Sequence, residues 1–149
     1  MLIDKRGGIS LDIKGLIRKA LEVQKRAYVP YSKFHVGAAL LTEDDEIFTG
    51  CNIEVASYSA TLCAERTAIF KAISEGHKDI KAIAVVGDTD FTYPCGICRQ
   101  VIREFGKNAK IIIAKSEDEY REYTLEELLP RSFGPDDLEE AKNRSENNV

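Results

Sequence analysis

Two short stretches decide how this chain is read: Cys63-Ala64-Glu65-Arg66 and, further along, Pro94-Cys95-Gly96-Ile97-Cys98. Cys63 and Cys95 each stand where a helical pattern begins. Residues 63–75 and 95–106 read as two helices, stopped by Gly76 and Gly106, since glycine readily takes the C′ position. The Cys95–Cys98 spacing puts both thiols on one side of a first turn. Helix N-termini favour thiolate over thiol, so two of them can aim three thiolates at one point. Zinc suits such a site, because cysteine ligands and a tetrahedral, redox-silent ion go together. Three protein ligands leave a fourth position open. A structural site would have no use for Glu65, whereas a hydrolytic one needs a group to move the protons of its water. Glu65 is two residues past Cys63, off its face of the helix, which suits contact with water rather than metal.

Working outward, residues 13–28 carry Ile13, Leu16, Ile17, Ala20, Leu21 and Ala27 at helical spacing, with Ser10 as the candidate cap. Val29-Pro30-Tyr31-Ser32 breaks that helix. Residues 34–42 and 46–53 read as a hairpin around Glu43-Asp44-Asp45. Strands follow at 81–86, 110–115 and 119–123. Thr124 and Glu127 form a capping box for a short helix over Leu125–Leu129 that Pro130 ends. A last helix is expected to follow Pro135. The order α-β-β-α-β-α-β-β-α predicts an α/β fold, a three-layer α/β/α sandwich over a mixed five-stranded sheet. One domain over 1–149 is expected, with 1–9 and 143–149 flexible.

Composition narrows the classes. Apolar residues make up 44% and charged residues 31%, the balance of a globular chain. No apolar run is long enough to span a bilayer. The first ten residues lack an apolar signal core, so the expected compartment is cytoplasmic. Net charge is −4 with Lys and Arg scattered, which argues against a phosphate backbone as partner. The four cysteines read as reduced thiols or metal ligands rather than disulfides. Cys51 remains open as a fourth ligand, which would close the site and end its chemistry, or as a small core residue. His35 and His77 read as structural or solvated.

Three thiolates around Zn²⁺ leave a net negative charge, which weakens the ion as a Lewis acid. A cation should offset it; Arg66 adjoins the Cys63–Glu65 cluster and Arg99 follows Cys98, with Arg66 preferred.

These segments carry a family resemblance. Pro30-Tyr31-Ser32-Lys33-Phe34 with Val36-Gly37-Ala38-Ala39, Gly50-Cys51-Asn52-Ile53-Glu54, Cys63-Ala64-Glu65-Arg66-Thr67-Ala68, Pro94 to Gln100, and Leu128-Leu129-Pro130 with Ser132-Phe133-Gly134-Pro135 resemble, in order, the small homotetrameric type of cytidine deaminase. The resemblance implies zinc-dependent hydrolysis of cytidine and 2′-deoxycytidine to uridine and 2′-deoxyuridine, with release of ammonia, in pyrimidine salvage. It implies Cys63, Cys95 and Cys98 as zinc ligands, Glu65 as the proton shuttle and Arg66 as the neutralising cation. Asn52 and Glu54 would hold the ribose, Phe34 would pack on the pyrimidine, and the Ala64 backbone would meet the base carbonyl. Tyr58 and Phe133 would be lent by a neighbouring subunit of a homotetramer. The partner so implied is a free nucleoside, with no nucleic acid and no membrane. The chain departs from the pattern at Val55, where Asn is usual, at Tyr93, where a small Ser is common, and at Ile97, where a small residue is usual.

Overall fold

Lys110–Ala114 and Ile80–Gly87 are nearly continuous apolar runs, and a strand of that kind needs cover on both faces. The computed structural model, which describes residues 11–146, supplies it. Five strands, β1 (Val36–Thr42), β2 (Ile47–Cys51), β3 (Ile80–Gly87), β4 (Lys110–Ala114) and β5 (Tyr120–Thr124), form one sheet in the order β2-β1-β3-β4-β5. The β3–β4 pair is parallel and the others are antiparallel. The mixed five-stranded sheet is therefore as expected.

Side-chain parity sorts the core into two layers. Ala39, Leu41, Ala82, Ala84, Val86 and Ile112 face helix α1 (Ile13–Gln24), which packs on them through Leu16, Ile17 and Ala20. Their neighbours Ala38, Leu40, Ile83, Val85, Ile111 and Ile113 face the other way. There they meet α2 (Ala64–Ser74), α3 (Gly96–Phe105) and α4 (Leu125–Leu128). Each buried Ile or Leu contributes about 1.5–3 kcal/mol relative to exposure, so this alternation holds the three layers in register. The α1 side is rich in alanine, and the helix comes close. A Cβ on Gly37 would lie 2.1 Å from the Ala20 carbonyl oxygen.

On the opposite layer Gly50 of β2 does the same for α2. A Cβ there would lie 2.4 Å from the Ala68 nitrogen and 2.6 Å from the Ala64 oxygen. This close approach sets the first turn of α2, and with it Cys63, against the end of β2.

The expected α1 runs too long. It ends at Gln24, and Asp12 caps it by accepting from the Gly15 N–H at 2.9 Å; Ser10 lies outside the described residues. Tertiary pairing takes residues 25–28 away from the helix. The Tyr28 N–H donates to the Asn52 carbonyl at 3.0 Å, and the Glu54 N–H donates to the Tyr28 carbonyl at 2.8 Å. The hairpin strands are also shorter than 34–42 and 46–53, because Asn52 uses its side chain to meet the other strand. Gly76 takes φ +94° after α2, and the Thr124–Glu127 capping box opens α4. A final helix, α5 (Pro135–Glu146), has no buried residue. It extends past 143, where the polar tail is expected to fray. Residues 1–9 and 147–149 of the segments expected to be flexible lie outside the described residues. Among the described residues no helix is long and apolar enough to cross a membrane.

Candidate active site

Cys63 is the N-cap of α2 and Cys95 the N-cap of α3, yet neither side chain caps its own helix. The sulfurs turn toward each other instead, 3.8 Å apart. Cys98, in the first turn of α3 and fully buried, completes a cluster whose sulfurs all lie within 4.8 Å of one another. A tetrahedral ion with Zn–S bonds of about 2.3 Å would hold its sulfurs about 3.8 Å apart. The sulfur cluster thus fits zinc. Cys51 is outside the cluster, half-buried at the end of β2 opposite Gly37. The four-cysteine alternative is not formed.

The charges around the sulfurs are arranged unevenly. Hydrogen bonding from Cys98, then from Arg66, lowers the Cys63 thiol to about 5. Cys98 is pushed the other way by its bond to Cys63 and by burial. Arg66 donates from Nη2 to the Cys63 sulfur at 3.3 Å. Its Nε is buried without a hydrogen-bond partner. A buried orphan donor is rare and costly, and a negatively charged metal–thiolate centre would offset the charge of this guanidinium. Arg99, the other candidate cation, is spent elsewhere. Its Nε donates to the Pro94 carbonyl at 2.8 Å and its Nη1 to the Leu128 carbonyl at 2.6 Å.

Glu65 is 3% exposed, and its Oε2 lies 3.7 Å from the Cys98 sulfur. Burial in a poorly solvated site raises its carboxyl to about 7. A carboxyl poised there can both take and give a proton near neutral pH.

The path from β2 to α2 gathers the remaining residues. Ile53 pairs antiparallel with Leu62, which hands the chain to Cys63. Asn52 donates from Nδ2 to the Phe34 carbonyl at 2.8 Å and accepts at Oδ1 from the Val36 N–H at 2.9 Å. Glu54, also buried, accepts at Oε1 from the N–H groups of Tyr31 and Ser32, both at 3.1 Å. Hydrogen bonds from Ser32 and Tyr31 hold its carboxyl below the usual range. A carboxylate offers about four acceptor sites, so capacity remains beyond these two. Lys33, between Ser32 and Phe34, takes φ +61°, a left-handed conformation costing a non-glycine residue about 1–2 kcal/mol. The bonds from Asn52 and Glu54 offset that strain and set the backbone of Phe34, which is half-buried. Ala64 is fully buried as the first residue of α2, where an N–H has no partner within its helix.

Tyr58 and Phe133 are apart from this group, 66% and 60% exposed. Tyr58 packs edge-on against Tyr31 with ring centroids 5.5 Å apart. Phe133 borders an open apolar groove of about 790 Å³ shared with Phe70, Ile97, Val101 and Leu138. Sequence reasoning missed the residues that hold its turn. Gln100 donates from Nε2 to the Phe133 carbonyl at 2.7 Å. Buried Arg103 donates to Ser132 Oγ and Asp136 Oδ2, both at 3.0 Å. No local signal marked Arg103, which falls by helical spacing on the side of α3 away from Cys98, Val101, Ile102 and Phe105.

His35 and His77 are not near the sulfurs as ligands. His35 pairs through Nδ1 with Asp88 at 2.9 Å, and His77 with Asp44 at 2.8 Å. Val55 keeps its loop through an N–H bond to Thr61 Oγ1 at 3.1 Å. Ile97 is exposed on α3 and lines the groove.

Comparison with known proteins agrees with this geometry. Residues 11–115 match the family model described as cytidine and deoxycytidylate deaminase zinc-binding region. The chain is 49% identical over 130 residues to a cytidine deaminase of Sporosarcina psychrophila, covering 86% of this chain and 96% of that one. It is 48% identical over 130 residues to one from Halalkalibacterium halodurans, covering 86% and 98%. Among solved structures, the cytidine deaminase from Burkholderia pseudomallei superposes with a TM-score of 0.76 at 44% identity, over 80% of this chain and 97% of that chain. The one from Mycobacterium tuberculosis gives 0.73 at 39% identity, over 84% and 99%. The three-cysteine centre, the sheet order and these likenesses converge: the chain belongs to the cytidine and deoxycytidylate deaminase zinc-binding family.

Proposed function

We propose that the chain catalyses the zinc-dependent hydrolytic deamination of cytidine and 2′-deoxycytidine to uridine and 2′-deoxyuridine, releasing ammonia, as a step of pyrimidine salvage in the cytoplasm. The observation that carries the reading is the buried Glu65 carboxyl, 3.7 Å from a sulfur of the three-cysteine cluster. A closed structural site has no role for it.

Cys63, Cys95 and Cys98 hold the ion. Bound zinc supplies a Lewis acid that lets water lose a proton near neutral pH. Glu65 would take one proton of the attacking water and deliver it to N3 of the base as the water oxygen adds at C4, then pass the second proton to the amine, which leaves as ammonia when the C4–N bond breaks. Arg66 balances the thiolate charge. The Ala64 N–H meets the base carbonyl oxygen. Phe34 packs on the pyrimidine ring. Asn52 and Glu54, already fixed by their bonds to the Tyr31–Val36 loop, hold the sugar hydroxyls. Glu54 is buried with acceptor capacity left over, and a ligand that leaves such a group unpaired is disfavoured, which favours a free nucleoside over a bare base.

One domain carries this chemistry, and a homotetramer completes it. Phe133 and Tyr58 project from the surface, and the apolar groove beside Phe133 is the sort of patch that an association buries. In the assembly these two aromatics enter a neighbour's pocket. Neither nucleic acid nor membrane is a partner, in keeping with the net charge of −4.

The test is direct. Purified zinc-loaded protein is mixed with cytidine and the fall in ultraviolet absorbance is followed as uridine forms. Glu65→Gln should lower turnover by at least about 10²–10⁴-fold with zinc still bound. No turnover of cytidine or deoxycytidine by the parent protein would overturn the reading.

A further inference from the structure

Arg121 is the second residue of β5, an edge strand, and grips the loop between β3 and α3 at two points. Its guanidinium sits 4.0 Å from the ring centroid of Phe91, a cation–π distance. Its Nη1 donates to the Tyr93 hydroxyl at 3.2 Å. Tyr123 stands two residues on, on the same face of the strand. It meets Tyr93 hydroxyl to hydroxyl at 2.7 Å, with the rings edge-on and centroids 5.6 Å apart.

The held loop leads straight to the metal centre. After Tyr93 comes Pro94, fully buried and with φ locked by its ring. The Pro94 carbonyl accepts from Arg99 Nε at 2.8 Å. Next is Cys95, which is the exposed member of the sulfur cluster, while Cys63 is half-buried and Cys98 buried. Cys95 therefore has the least packing of its own to fix its sulfur. Its position is set through the short, stiff link from Tyr93. Tyr93 stands where the family resemblance leads to a small serine, whose side chain is too short to repeat this contact with β5.

We infer that Tyr93, Arg121 and Tyr123 form a brace from the sheet edge that positions the Cys95 thiolate and so sets how firmly this chain retains zinc. The inference rests on the metal site described above. The three side chains act through the loop and not on substrate, so they are positioning residues.

The experiment measures zinc release from loaded protein into excess of a colorimetric chelator. Tyr93→Phe keeps the ring and deletes one hydroxyl, so the fold is not at risk. Release from it should be about five- to a hundredfold faster, the effect of the hydroxyl's two net hydrogen bonds, to Arg121 and Tyr123. Arg121→Ala removes both of its grips on the loop and should also release faster than the parent. In cobalt-loaded protein, the visible ligand-field bands of the same variants should shift as the thiolate geometry relaxes. Glu122→Ala is the control. It breaks the Lys110–Glu122 pair, 3.0 Å, between β4 and the same edge strand β5 without touching the loop, and its release rate should equal the parent's. Parent-like release and spectra in both Tyr93→Phe and Arg121→Ala would overturn the brace. Equal acceleration in Glu122→Ala would overturn it too, because general loosening of the edge strand would then be the cause. A parent protein that takes up no zinc would instead refute the metal site on which the inference stands.

Discussion

Arg66 reaches the Cys63 sulfur from Nη2 at 3.3 Å, while Nε of the same guanidinium is buried without a partner. One cation thus lies against a centre that carries net −1 when three thiolates hold Zn²⁺. Arg66→Gln preserves much of the size and removes the charge. Turnover should fall about ten- to a hundredfold with zinc content near the parent's. Steady-state kinetics alongside a metal assay check this. A parallel loss of zinc and turnover would mean that Arg66 serves retention rather than reactivity.

Gly50 links the fold to the site, since a Cβ there would meet backbone atoms of Ala68 and Ala64 that cannot swing aside. Gly50→Ala should push α2 off β2 and cost about 1–3 kcal/mol. That is a drop in Tm of roughly 2–12 °C for a chain of this size, with reduced zinc affinity because Cys63 stands at the start of the displaced helix. Gly96 makes the contrast: a Cβ there meets nothing within 4 Å. Gly96→Ala should leave Tm and zinc affinity unchanged or slightly improved. Thermal melts of both variants decide it.

Cys51 and Cys98 should separate cleanly. Cys51 is outside the sulfur cluster, so Cys51→Ala should keep about one zinc per chain. Cys98→Ser removes a buried ligand and should lose it. A metal assay after gel filtration reads both. Zinc loss from Cys51→Ala would restore the closed four-cysteine site.

Asp136 gives a pH-dependent test of the Phe133 turn. Lys107, at 2.5 Å, and Arg103, at 3.0 Å, lower its carboxyl from 3.8 to about 2. The folded value is below the unfolded one, so the stabilisation is present above 3.8 and is lost as pH falls toward 2. The Tm gap between the parent and Asp136→Asn should be open at pH 7 and shrink as pH drops from about 4 toward 2. Added salt should narrow it as well, since the carboxylate is exposed and screened. A gap independent of pH would mean that the ion pairs do not hold the turn.

The reach of sequence reasoning follows the range of the forces involved. The capping box at Thr124, the stop at Gly76 and the helix starts at Cys63 and Cys95 depend on neighbours within one turn, and were legible. The apolar runs of β3 and β4 were legible for the same reason. The end of α1 was not, because Tyr28 leaves the helix to pair with residues 52–54, a competition between segments distant in the chain. Arg103 was missed because its value lies in Ser132 and Asp136, which no local pattern connects to α3.

By itself the sequence determined the elements, the donor chemistry and the presence of a carboxylate beside a thiolate ligand, since residue type and spacing carry those. Only the tertiary structure brought three sulfurs within 4.8 Å, left Cys51 out, and buried Glu65. It also tied Arg99 to backbone carbonyls and placed Arg66 on the sulfur. Those outcomes depend on distance and desolvation between segments far apart in the chain. Two glycines, at positions 37 and 50, allow the layers to come close enough for them.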